Sequence, residues 1–165
     1  MAVSYTFVDG SMGFPPLNVT GDTTQRISLG QIVLGRDTST AQYGIGEFIY
    51  VKFTGTVVAG DFVLFDIKAQ TCVQLPASAT KGTVGITLAA QATGQYGWVM
   101  IRGVHDACNI ATAALTDPTA LTGSAVAGRA TTGTASYLLE SVLARGASTA
   151  NVGVAELYWG FSAGR

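Results

Sequence analysis

From residue 31 onward, apolar and polar positions alternate in short stretches, each closed by Gly, Pro, Asp or Thr. Alternation with period two puts successive side chains on opposite faces of a strand. In residues 47–54, Phe48, Tyr50 and Lys52 fall on one side and Ile49, Val51 and Phe53 on the other. Residues 62–67 form an aromatic and β-branched run, and 71–75 a shorter one ending at Pro76. Further strands are expected over 31–34, 83–89, 96–102, 104–110, 126–130, 137–144 and 153–161. Residues 36–46 read as a loop and 111–115 as one helical turn before Asp117-Pro118. About ten short strands at intervals of 8–12 residues are the pattern of a barrel or sandwich. The expected fold class is therefore all-β, a small β-barrel or a two-sheet sandwich.

Residues 1–30 break this pattern. Pro15-Pro16 favours an extended backbone and excludes a helix there. Apolar residues such as Tyr5, Phe7, Val8, Met12, Phe14, Leu17 and Val19 are scattered through the segment. It reads as an extended N-terminal arm (1–30) on a β-domain (31–165), packed on its own domain, a sister subunit or another protein. A weak repeat divides the domain into two similar β-units. Residues 85–89 and 97–101 match 141–145 and 153–157 at a displacement of 56, and 58–61 match 121–124 at 63.

Composition narrows the function classes. Of the 165 residues, 12% are charged and 48% hydrophobic, and nine Lys+Arg against ten Asp+Glu leave a net charge of −1. Such a chain is neither disordered by composition nor basic in the manner of nucleic-acid binders. The uncharged run 82–101 has the length of a membrane span. Its Gly, Thr and Gln residues make two strands around a turn at 92–95 the better reading, so no membrane partner is expected. No secretory signal is visible at the N-terminus, which points to synthesis in a reducing cytosol. There Cys72 and Cys108 are expected as buried thiols rather than a disulfide, and the sequon Asn18-Val19-Thr20 carries no weight. A surface this poor in charge is expected to be largely covered in an assembly.

Candidate chemistry is thin. His105 and Cys108 stand three apart on an expected strand, which points them to opposite faces and places His105 at a surface or loop edge. Asp22, Asp37, Asp61 and Asp117 sit in turn contexts, where Asp caps the local backbone. The Gly-rich loops open strands rather than helices, so they are not phosphate cradles. Trp98 and Trp159 lie among apolar neighbours and read as core or interface side chains. No catalytic residue, metal ligand or cofactor is expected.

One resemblance emerges from these blocks. The turn and strand Thr56-Val57-Val58-Ala59-Gly60-Asp61-Phe62-Val63-Leu64-Phe65-Asp66 resemble an element of tailed-bacteriophage head decoration (cement) proteins. The following strands Gly82-Thr83-Val84-Gly85-Ile86-Thr87-Leu88-Ala89-Ala90 and Trp98-Val99-Met100-Ile101-Arg102-Gly103-Val104 continue it, and residues 125–157 resemble the closing half. The resemblance spans about residues 47–160. It implies a structural protein made in the host cytoplasm, sitting on the virion exterior as a homotrimer and clamping neighbouring copies of the major capsid protein. It implies no catalysis. On that reading Phe7, Met12, Phe14, Pro15 and Pro16 of the arm contact the capsid or a neighbouring subunit. Competing readings are a tail, baseplate or fibre β-module, a carbohydrate-binding module using Trp98 or Trp159, and a hydrolase using His105.

Overall fold

The computed structural model describes residues 4–8, 13–39, 43–77, 82–111, 117–132, 138–146 and 151–158. These residues are all-β. The strands are β1 (Tyr5–Phe7), β2 (Ile32–Asp37), β3 (Ile45–Phe53), β4 (Phe62–Asp66), β5 (Thr71–Gln74), β6 (Thr83–Thr87), β7 (Tyr96–Asn109), β8 (Thr119–Gly123), β9 (Ala130–Thr131), β10 (Leu138–Ala144) and β11 (Val152–Leu157).

Five strands form a ring. β3 pairs with β5, β5 with β4, β4 with β6, β6 with β7, and β7 returns to β3. Within the ring the β3–β5 pairing is parallel, through Lys52↔Thr71 and Phe53↔Cys72, and the others are antiparallel. β2 and then β1 extend the sheet outward from β3, while β11, β10, β8 and β9 continue from the far half of β7 as a second sheet.

Alternation along the ring strands fills two cores at once. Ile49, Val51 and Phe53 of β3 line the ring with Val63, Phe65, Cys72, Val99 and Ile101. Phe48 and Tyr50, on the other face of the same strand, join Phe62, Trp98, Met100 and Ile110 in a second core outside it. That outer core is closed by the second sheet through Leu121, Val142, Ala155 and Leu157, and by Tyr5 and Leu17 of the arm. Strand segments buried on both faces read as continuous apolar runs, as Phe48–Val51 of β3 and Trp98–Ile101 of β7 do.

The chain expected as two strands over 96–110 is one, β7, of 14 residues. Gly103 marks the expected break. Its φ of +119° is open to glycine alone, so the strand bends there and continues instead of ending. Below the bend β7 pairs with β3 and β6, and from Gly103 onward with β11. The turn expected at 92–95 is present between β6 and β7, closed by Gln95 N donating to Ala92 O at 3.2 Å.

Two local expectations differ from the structure. Residues 126–130 were expected as a strand. Instead, the Ser124 hydroxyl caps the Val126 N–H at 3.1 Å and Gly128 takes φ +75°, making a turn between β8 and β9. β8 itself was not anticipated. The helical turn expected at 111–115 lies almost wholly outside the described residues.

Candidate interaction surface

The arm is woven into the fold. Pro15 O accepts a 3.0 Å bond from the Trp98 indole N–H, and the Phe7, Phe14 and Trp98 rings pack together at 5.7–6.3 Å. Leu17 is buried in the outer core. Further along, Val19 O accepts from Gln91 Nε2 at 2.5 Å, Asp22 O from Tyr96 N at 2.8 Å, and Tyr50 O from Gly30 N at 2.8 Å. Of the five arm residues singled out from sequence, Pro15 is buried, Phe7 and Phe14 are half-buried against Trp98, and Pro16 is exposed. Met12 lies outside the described residues, as does Trp159. Trp98 is 2% exposed, so it is not a stacking platform for a sugar ring.

An exposed apolar surface lies elsewhere, on the β1–β2–β3 extension. In β2, Val33 packs against the outer core while Ile32 and Leu34 point the other way. Directly opposite residues of antiparallel strands share a face. Leu34 pairs with Glu47, Arg36 with Ile45 and Ile32 with Ile49. Val8, whose N–H donates to Leu34 O at 3.0 Å, flanks Leu34 on the β1 side. Val8, Ile32, Leu34 and Ile45 are 37%, 44%, 42% and 50% exposed and form one face. Arg36 is exposed beside them, and Glu47 is paired with Arg102 at 3.2 Å. Sequence reasoning missed this face. Its signal was Ile32-Val33-Leu34, a strand apolar in both phases at the border of a sheet, but Ile45 had been assigned to a loop.

A polar junction fixes the two sheets to each other. The buried Asp61 carboxylate accepts from Val58 N (2.9 Å), Gln74 Nε2 (2.7 Å) and Asn109 Nδ2 (2.8 Å). Phe62 N donates to Gly128 O at 2.9 Å and Gly128 N to Leu75 O at 2.8 Å, tying the β8–β9 turn to the ring. A side chain at Gly60 would run into the Ala107 carbonyl oxygen, so the contact between the turn before β4 and strand β7 needs glycine.

His105 corrects an expectation. It is 4% exposed, and Cys108 is fully buried. The register of β7 on β11 shifts between His105 and Cys108, and the extra residue turns both side chains inward. His105 Nδ1 accepts from Ala107 N at 3.1 Å, and the Cys108 thiol donates to His105 O at 3.3 Å. Burial lowers the His105 pKa to about 4, opposed by the Asp106 charge. Burial likewise pushes both thiols well above the ordinary range. Both cysteines are free, Cys72 in the ring and Cys108 in the outer core.

At one end of the ring lies an open cavity of about 480 Å³, lined by Phe65 and Cys72 within and by Ile67, Lys68 and Val73 at its mouth. The Asp66 carboxylate beside it accepts from the Lys68 and Ala69 N–H groups at 2.8 and 2.9 Å, closing the β4–β5 turn. On the second sheet Arg145 bridges Glu156 (2.5 Å), Asp117 (3.5 Å) and the Tyr158 hydroxyl, joining β10 to β11 and to the segment before β8. Among the described residues no group of three or more His, Cys, Asp or Glu could hold a metal ion, and no helix is long and apolar enough to cross a membrane.

No protein-family model matches the chain, and no curated protein matches it. Among solved structures, it is similar to a chain described as "The capsid of Myoviridae Phage XM1". The identity is 22%, the match covers 64% of this chain and 78% of that chain, and the TM-score is 0.47.

Proposed function

We propose that the protein is a structural component of a tailed-phage virion that decorates the capsid exterior and bridges neighbouring copies of the major capsid protein. The observation that carries this reading is where the decoration-protein resemblance falls in space. Its opening segments form β4, β6 and the first half of β7, consecutive members of one ring, together with the turn that holds Asp61, and its closing half runs through β9, β10 and β11 of the second sheet. The resemblance therefore reaches both the ring and the second sheet that the Asp61 junction ties to it. The body around it suits the role. Strand ladders and two packed cores give stiffness, and an apolar sheet face with few charges offers area for contact. Three copies around a three-fold position would engage the shell together, and linked weak contacts hold far more firmly than one. Pro16, Asn18, Thr20 and Thr23 are among the exposed residues of the arm and would lie along the shell.

Electron microscopy of intact particles from the virus that carries the chain tests the reading. Density for the β-body on the outer shell at a fixed copy number is the expected result. Particles lacking the chain, or carrying it only at the tail, would overturn decoration.

A further inference from the structure

The exposed sheet face has an internal symmetry of chemistry. On β2 and β3, Leu34, Glu47, Ile45 and Arg36 occupy four corners of one patch, since Leu34 pairs with Glu47 and Arg36 with Ile45. The apolar pair Leu34 and Ile45 lies on one diagonal. The charged pair Arg36 and Glu47 lies on the other. Arg36 has no ion-pair partner among the described residues, and the Glu47 carboxylate is engaged on one side only, by Arg102.

We propose that this face binds a second copy of the same chain through a two-fold contact whose axis runs along the Leu34–Ile45 diagonal. A two-fold in the contact plane along that line places Leu34 on the copy's Leu34 and Ile45 on the copy's Ile45. It also places each Arg36 on the other chain's Glu47, twice over. The same patch serves both partners, as an isologous contact requires. Rotation about the other diagonal would set Arg36 against Arg36 and Glu47 against Glu47, so charge selects one arrangement. Val8 and Ile32, flanking the patch, extend the apolar area.

The contact is small. Four half-exposed apolar side chains fall well short of the roughly 800 Å² per partner of a standard interface, so the contact belongs to the weak, transient class, for which a dissociation constant on the order of 10⁻⁴ M is the working value. Such a contact is minor in dilute solution and becomes populated where copies are held side by side. The proposal stands without the capsid reading. Absence of the chain from particles would overturn decoration and leave the two-fold contact untouched.

Sedimentation velocity across concentrations from well below to well above that value tests it. The expected result is reversible dimerisation of the whole chain. L34K abolishes it, and R36E weakens it about tenfold, each with the melting temperature of the parent because both side chains face solvent. R36E/E47R/R102E inverts every charge of the patch, keeps both pairings and recovers association. A strict monomer at all concentrations would overturn the proposal. So would an oligomer that L34K leaves intact, or failure of the triple reversal to recover what R36E lost. Loss of particle binding by L34K in a chain that never dimerises would assign the face to a shell protein instead.

Discussion

Asp61 accepts hydrogen bonds from three separate segments, the turn before β4, strand β5 and the end of β7. Removing its carboxylate leaves an N–H and two amide groups facing a buried space. D61A is expected to cost roughly 3 kcal/mol of folding stability, measured by urea denaturation. His105 sets a pH dependence. Its folded pKa of about 4 lies below the ordinary 6.5 because burial disfavours the charged ring. Above pH 6.5 both folded and unfolded chains carry it neutral, so it contributes nothing. Between 6.5 and 4 the unfolded chain takes up the proton and the folded chain does not, so stability falls by up to about 1.4 kcal/mol per pH unit. In H105N, whose amide oxygen can still accept from Ala107 N, the fall over that window should flatten. The Asp22 carboxylate, held below its usual 3.8 by its bond to Arg26, acts only at lower pH, so calorimetry at several pH values separates the two.

At the scale of elements, the arm behaves as part of the core. Leu17 is 3% exposed, and its side chain fills the space beside Gly35 and Phe48. L17A should cost about 2–4 kcal/mol, whereas P16A at an exposed position should change stability by less than about 0.5 kcal/mol. Thermal unfolding of the two variants checks both. The sequence showed that the arm must pack on something, because apolar side chains without periodicity do not stay in water. It could not show that Trp98 takes its partner 83 residues away, since such pairing depends on the closed ring. The strand 47–54 was legible from alternation, and 62–67 and 71–75 from short runs of aromatic and β-branched residues. β7 was not legible as one strand, because a glycine between two strand-like runs reads as a boundary until the neighbouring strands on both sides are known. The inward turn of His105 had the same obstacle. Counting by twos places it opposite Cys108, and only the register shift against β11 overrides the count. The β2–β3 face was hidden for a related reason, as Ile45 owes its place to pairing with Arg36 rather than to local propensity.

For the whole molecule, two cores share one set of strands, and each contains one thiol. Neither Cys72 nor Cys108 should react with a thiol reagent in the folded chain, and both should titrate after denaturation. A reductant should leave the melting temperature unchanged. Colorimetric thiol counting with and without denaturant checks the first point, and paired melts the second. The central place of β7 has a mechanical side as well. At about 3.3 Å per residue its 14 residues follow a course of at most some 45 Å, bent at Gly103, and β3, β6 and β11 are fastened along it. Tension applied along its axis loads those ladders in shear, so many hydrogen bonds resist together and fail together. Tension applied across it opens one ladder a rung at a time. The molecule is therefore stiffest along the bent course of β7, like a plank along its grain, and the direction in which it is anchored decides how much load it can carry.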